Sequence, residues 1–352
     1  MRIAHHVRKL AAYTPGEQPK AKNVIKLNTN ENPYPPSPAC AKVLASFSAE
    51  NLRRYPDPQC MELRMELAKL HKTKVENILV GNGSDEILGL AARAFMENDE
   101  VIASLDPSYS LYKTVADIRD VPWVMGGDGF LGGAETSGLD KRAALFMWAN
   151  PNAPTGIWSQ PAEIAAFAHR FKGGVVLVDE AYADFAKDNC MKLATSPSNR
   201  NILVVRTLSK SYSLAGLRVG YCVGPTDLIA ALNKVKDSYN VSALAQAIAV
   251  AAIKDTAWMK ANAAKIIATR QKFTDELIAR DWDVPDSEAN FVFARPPRPY
   301  RASQIATHLK SRGIYVRFFK GLKTSERVRI SIGTDAQMAK VLKVIDELIV
   351  EK

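Results

Sequence analysis

Asn201-Ile202-Leu203-Val204-Val205-Arg206-Thr207-Leu208-Ser209-Lys210-Ser211-Tyr212-Ser213-Leu214-Ala215-Gly216-Leu217-Arg218 puts a lysine just past an apolar run of strand length, with an arginine eight residues on. A short run of branched apolar residues running straight into a polar turn reads as a buried strand whose far end is accessible. There an amine can act as a nucleophile, and hydroxyls with a guanidinium can hold a phosphate by charge-assisted hydrogen bonds. Alone, the stretch fits a polar loop with one exposed lysine equally well. The residues around it decide.

Working outward, short apolar runs recur between amphipathic helical stretches at Asn77–Val80, Val101–Ser104, Ala144–Trp148, Val175–Val178 and Val219–Val223. That alternation predicts an α/β fold, with a mostly parallel central sheet flanked by helices. A helix is also expected over Pro58–Leu70, where apolar and charged residues interleave at helical spacing. From Ser242 to Arg280 the chain is alanine-rich and reads as a long linking helix. Beyond it, Asn290–Ala294, Ile314–Phe318 and Val328–Ile332 read as strands, and Ala302–Arg312 and Asp335–Val350 as helices. The expected division is an N-terminal segment over 1–51, a large domain over 52–241, linking helices over 242–280 and a small α+β domain over 281–352.

Composition narrows the function. The 352 residues hold 47 Lys plus Arg against 37 Asp plus Glu, a formal charge of +10. The basic residues are scattered, without runs or interleaved aromatics, so an anionic small molecule is expected as partner and nucleic acid is not. No apolar run approaches the roughly 18 residues of a membrane span, and the first residues lack a signal-peptide core, which predicts a cytoplasmic protein. Cys40, Cys60, Cys190 and Cys222 form no CxxC pair, and the five histidines show no ligand spacing. No metal site is expected.

Four further strand ends carry chemistry. Val175-Val176-Leu177-Val178-Asp179 ends on an acid, and in parallel sheets ligands bind at that edge. Gly81-Asn82-Gly83-Ser84-Asp85-Glu86 is a glycine turn opening a helix from about Ile87; its backbone N–H groups suit a phosphate, or Ser84 simply caps the helix. Asn150-Pro151-Asn152-Ala153-Pro154-Thr155-Gly156 offers an amide to an oxygen. Tyr109, in Asp106-Pro107-Ser108-Tyr109, offers a ring to stack on a flat cofactor.

Together these segments resemble the fold-type I, pyridoxal-phosphate-dependent aminotransferases of class I/II, and within them the histidinol-phosphate group. The narrower resemblance rests on Leu27-Asn28-Thr29-Asn30-Glu31-Asn32-Pro33-Tyr34, Arg54-Tyr55-Pro56-Asp57, Thr207 to Arg218, Tyr239-Asn240-Val241, Ala289-Asn290-Phe291-Val292, Gly313 to Arg317 and Arg327 to Thr334. These run in order along nearly the whole chain.

The resemblance implies pyridoxal 5′-phosphate as cofactor, Lys210 as Schiff-base lysine and proton shuttle, and Asp179 against the ring nitrogen. It places Tyr109 on the ring and Asn152 and Tyr182 at the ring oxygen. Gly83, Ser84, Asp85, Thr207, Ser209 and Arg218 fall at the phosphate. Tyr55 would reach the cofactor of a neighbouring subunit, which implies a homodimer with shared sites, and the segment over 1–51 would cover the substrate and contribute to dimer contacts. Arg329 would hold the α-carboxylate of glutamate, a bidentate task for which lysine serves poorly. Arg317 and Tyr13 are the candidates for a substrate phosphate, with Asn30 and Tyr239 lining the pocket.

Relatives often have glycine after the tyrosine of this Asn-Glu-Asn-Pro-Tyr motif, whereas here Pro35 and Pro36 follow, and proline holds the loop extended. The expected reaction moves an amino group between L-histidinol phosphate and 2-oxoglutarate. An aromatic aminotransferase or a phosphothreonine decarboxylase on the same fold would use the same lysine and arginine.

Overall fold

The computed structural model describes residues 2–10, 16–21 and 23–350. In chain order the strands are β1 (Ile25–Leu27), β2 (Ile78–Gly81), β3 (Val101–Asp106), β4 (Trp123–Asp128), β5 (Gly133–Ala134), β6 (Ala143–Ala149), β7 (Val175–Asp179), β8 (Ile202–Thr207), β9 (Gly220–Val223), β10 (Phe291–Ala294), β11 (Ile314–Phe318) and β12 (Val328–Ser331). They form an eight-stranded sheet, β2-β9-β8-β7-β6-β3-β4-β5, and a four-stranded sheet, β1-β11-β12-β10.

Alternation along the central strands sends neighbouring side chains into two different cores, as the period of a pleated strand requires. Phe146, Trp148, Val176, Val178 and Val204 pack on one face, while Leu145, Met147, Leu177, Leu203 and Val205 pack on the other. Helices cover both faces, which is why these strands read as unbroken apolar runs. On the first face Phe146, Trp148 and Phe167 make a buried aromatic cluster, Phe167 coming from the helix Pro161–Arg170.

Strands β3, β6, β7 and β8 run parallel and end together, so Asp106, Asn150, Asp179 and Thr207 gather at one edge. Strand β9 runs back antiparallel between β8 and β2, pairing Gly220 with both Thr207 and Gly81. Only glycine fits at 220, because a Cβ there would meet the Ser84 amide nitrogen at 2.5 Å. That close approach brings Arg218 over the start of the next helix.

Three expectations are corrected. The helix after β2 begins at Ser84, not near Ile87, and its cap residue is Gly83 at φ +81°, not Ser84. The long linking helix is two, Ala243–Lys254 and Thr256–Ile278, because Asp255 leaves helical geometry and caps the second by accepting from the Trp258 N–H. Strand β1 was not foreseen. It lies parallel to β11, with Ile25 opposite Ile314 and Leu27 opposite Val316, so the stretch over 1–51 supplies an edge strand to the small sheet. Strands β4 and β5 also escaped the reading, since their glycines break the apolar pattern. All four cysteines are buried and unpaired, and no helix among the described residues is long and apolar enough to cross a membrane.

Candidate active site

The gathered strand ends open into a cavity of about 1060 Å³ bounded on the far side by β11, β12 and the loop between them. Lys210, Asp179, Tyr109, Tyr182, Thr207, Ser209, Ser84, Asp85, Arg218, Asn30, Arg317 and Arg329 all line it. Residues as far apart as Asn30 and Arg329 therefore converge.

Asp179 lies at the floor, 5% exposed. Burial lifts its carboxyl to about 6, against the stabilising bonds it accepts from the Tyr112 hydroxyl at 3.0 Å and the Ala181 N–H at 3.1 Å. Among the described residues no Lys, Arg or His forms an ion pair with it. A buried carboxylate on a cavity wall, eased by the Lys210 charge but closed into no ion pair, suits a protonated ring nitrogen. Tyr112 is a residue that sequence reading missed. Its burial and Asp179 hold its phenol well above the usual range, so it stays a hydrogen donor to the acid.

At the opposite end Arg218 Nη1 donates to Ser209 Oγ at 3.3 Å and Nη2 to Asp85 Oδ2 at 3.2 Å, and Thr207 Oγ1 bonds Ser209 Oγ at 2.9 Å. With the first N–H groups of the helix from Ser84, these donors make a cradle of phosphate character. A Cβ on Gly83 would meet Arg218 Nη2 at 2.5 Å, on a backbone already in the left-handed region. Gly83→Ala is therefore expected to lower stability by about 1–2 kcal/mol, read by chemical denaturation.

Lys210 Nζ donates to the Thr29 carbonyl at 3.1 Å and lies 5.8 Å from the centre of the Tyr182 ring. Its loop is pinned by Asn32, whose Nδ2 donates to the Lys210 and Ser211 carbonyls, each at 3.1 Å. Asn30 donates from Nδ2 to Tyr182 Oη at 2.8 Å and accepts from Ser331 Oγ at 2.9 Å, tying the first motif to both β12 and the site. Tyr109 donates to Asp85 Oδ1 at 3.3 Å and stands edge-on to Tyr112.

Behind the lysine loop, one residue along from three of these site residues, lies a buried charge cluster. Arg206 donates from Nε and Nη2 to Glu180 Oε2 at 2.9 and 2.8 Å, and from Nη1 to Asp184 Oδ1 at 2.9 Å. Glu180 accepts in addition from the Cys190 N–H, and Asp184 from the Ser211 hydroxyl. Burial opposes the arginine's charge, but the two acids more than offset that and hold its proton firmly.

Some expected residues stand elsewhere. Asn152 does not line the cavity: its Nδ2 is taken by the Pro107 and Gly129 carbonyls and Thr155 Oγ1, and its Oδ1 by the Ser108 hydroxyl. It knits the adjoining loops together because several complementary groups converge on one amide. Tyr55 and Tyr239 stack on each other, ring centres 4.5 Å apart, at 81% and 48% exposure and outside the cavity of this chain. Tyr13 lies outside the described residues. The loop from Phe319 to Thr324 lines the cavity unforeseen, and its Lys323 Nζ pairs with Asp106 Oδ2 at 3.0 Å across to the end of β3.

Residues 22–345 match the family described as aminotransferase class I and II. The chain is 41% identical over 346 residues to histidinol-phosphate aminotransferase 2 of Rhizobium meliloti (strain 1021), across 97% of this chain and 98% of that protein. It is 42% identical over 349 residues to the histidinol-phosphate aminotransferase of Geobacter sp. (strain M21), across 98% of each. The crystal structure of the Sinorhizobium meliloti histidinol-phosphate aminotransferase in complex with pyridoxal-5′-phosphate superposes with a TM-score of 0.88 at 25% identity, covering 99% of this chain and 98% of that one. Since the family match takes in both sheets and all of the cavity lining except Gly16 and Gln18, the chain belongs to the class I and II aminotransferases.

Proposed function

We propose that the chain moves an amino group between L-histidinol phosphate and 2-oxoglutarate, giving imidazole acetol phosphate and glutamate, in histidine biosynthesis. The observation that carries this reading is Arg317 directly opposite Arg329 on adjacent strands, both on the cavity that holds Lys210. Two guanidiniums side by side suit a site that must take a phosphate from one substrate and a carboxylate from the other. Relatives at 41–42% identity that bear this activity in their names support the choice of substrate.

The cavity residues fit pyridoxal 5′-phosphate, which when bound supplies an electron sink for the substrate's α-carbon. Asp179, kept in place by Tyr112, would hold the ring nitrogen's proton. The amides at Ser84 and Asp85, with Ser209, Thr207 and Arg218, would hold the phosphate. Tyr109 would cover the ring, and Tyr182, oriented by Asn30, would meet the ring oxygen. Lys210 Nζ would move a proton between the substrate's α-carbon and the cofactor's C4′, and the Asn32 bonds would hold its loop while the amine swings. The Lys323–Asp106 pair draws the Phe319–Thr324 loop across the entrance, which limits water.

The same reading treats 52–241 as the cofactor-binding unit and 281–352, with β1 added, as the unit that recognises substrate anions. The protein acts in the cytoplasm as a homodimer. Leu44, Leu52, Tyr55, Met61 and Met65, all more than 40% exposed within one stretch of chain, support a partner subunit there.

The test is single-turnover spectroscopy of the holoenzyme with L-histidinol phosphate, L-glutamate, L-phenylalanine or L-phosphothreonine. Fast loss of the visible cofactor band with the first two, and slow loss with the others, is the expected result. Equal reaction of phenylalanine would make the enzyme an aromatic aminotransferase, and carbon dioxide release from phosphothreonine a decarboxylase. Arg317→Lys should raise KM for histidinol phosphate about 10- to 100-fold, as charged bidentate bonds are reduced to a point charge. Its KM for glutamate should move far less.

A further inference from the structure

We propose that Phe319 is a specificity-determining positioning residue: its ring holds the guanidiniums of Arg317 and Arg329 side by side, so that one cavity accepts both a phosphate and a carboxylate. The inference rests on the reading of those two arginines as substrate anion sites. No motif in the sequence pointed to Phe319, and nothing in the reaction itself requires an aromatic at that place.

Arg317 and Arg329 are register partners across the antiparallel pair β11 and β12, so they leave the sheet on the same face. Like charges placed directly opposite repel, and splaying apart would carry each guanidinium away from the anion it is to hold. Phe319, just past the end of β11, answers that repulsion. Its ring centre lies 5.3 Å from Arg317 Cζ and 5.4 Å from Arg329 Cζ, within the range at which a ring's negative face attracts a cation. One quadrupole therefore serves both charges.

The ring is itself held in place. Phe293, opposite Arg329 in the register of β10 and β12, meets Phe319 edge-on at 6.2 Å and 83°. Phe291, also on β10, lies 5.2 Å from Arg329 Cζ and steadies that guanidinium from a second side. The aromatics of β10 thus form a bed on which the arginine pair is set. An aromatic bed orients the planar guanidiniums through their faces and leaves the N–H groups at their edges to hydrogen-bond, as Arg329 Nη2 does with the Asn28 carbonyl at 3.0 Å. Lysines at 317 and 329 would gain less from it, because an ammonium has no plane to align.

The test uses the full-length holoenzyme and compares Phe319→Leu, which keeps an apolar side chain and removes the π face, with Phe319→Tyr, which keeps the face. Three quantities are measured for each: KM and kcat for L-histidinol phosphate, the same for L-glutamate, and the dissociation constant of inorganic phosphate by calorimetry. Phe319→Leu is expected to raise both KM values and weaken phosphate binding about five- to tenfold, with kcat within about twofold, while Phe319→Tyr stays near the parent.

Unchanged KM for both substrates in Phe319→Leu would overturn the proposal. So would a fall in kcat or thermal stability with KM unmoved, which is what a packing role alone predicts. A rise for one substrate only would overturn the shared role. If Phe319→Leu does not fold, a tyrosine variant with parent-like folding but tenfold weaker phosphate binding would count against it, and one with parent-like binding in its favour. If the parent does not turn over histidinol phosphate, the substrate reading fails by itself. The phosphate and glutamate measurements then still decide the role of Phe319.

Discussion

Lys210→Ala is expected to reduce turnover of both substrates by at least about 10³-fold, because under the proposed function the variant loses the amine that would move the proton between the substrate's α-carbon and the cofactor's C4′. The geometry leaves no deputy. Lys210 Nζ, held by the Thr29 carbonyl at 3.1 Å, is the lysine amine directed at the floor where Asp179 and Tyr182 converge. The other cavity lysines, Lys113, Lys320 and Lys323, stand at the entrance, and Lys323 is engaged with Asp106. The fold should survive, since the lysine's own hydrogen bond is the one lost and its loop is anchored by Asn32 through backbone carbonyls. Borohydride treatment followed by peptide mapping separates the outcomes: cofactor is trapped on the peptide holding Lys210 in the parent and on none in the variant. Trapping elsewhere with retained turnover would transfer the role to another amine.

The second large effect is on stability. Glu180→Ala should lower the free energy of unfolding by about 3–5 kcal/mol, the scale seen when one partner of a buried ion pair is removed and the other is left without compensation. Glu180 has no exposed side-chain surface and Arg206 only 9%. Burial pushes the Glu180 carboxyl up and Arg206 works against that, so the pair is ionised only because each partner holds the other. Spread over the unfolding entropy of 352 residues, the loss corresponds to a fall in Tm of roughly 4–7 °C. Differential scanning calorimetry reads it, and Glu180→Gln, which keeps an oxygen facing Arg206, should lose less. The damage would spread to function, because Asp184 links this cluster to Ser211, the neighbour of Lys210. A variant as stable as the parent would show that Asp184 alone suffices to neutralise Arg206.

The two effects trace back to one stretch, and the contrast between them shows what was legible. Lys210 drew notice as a lysine past a buried strand, beside hydroxyls and ahead of Arg218, and the other strand ends tipped the reading. Arg206 and Glu180, each one residue from a site position, passed unnoticed. Their purpose depends on strands β7 and β8 being neighbours, a pairing of residues 26 apart that no local pattern reveals. Tyr112 was missed for the same reason. It sits on a helix, and only the packing of that helix against β7 brings its hydroxyl to Asp179. Asn152 shows the opposite case: its motif placed it at the expected sheet edge, and the loops around it offer partners to both ends of the amide.

The sequence by itself determined the α/β class and the order of the central strands along the chain, and it pointed to the lysine, acid, glycine turn and arginines that the fold gathers about one cavity. These follow from local physics: apolar runs bury, glycines turn, and unusual polar residues at strand ends need a reason. Only the tertiary structure decided which of them meet. It placed β1 beside β11, 289 residues away in register, and turned β9 back so that Arg218 covers the helix start at Ser84. It also set the Phe319 ring against both Arg317 and Arg329. Contacts of that kind are fixed by strand register and by the close approach of glycines such as Gly220, which are properties of the folded whole and leave no periodic trace along the chain.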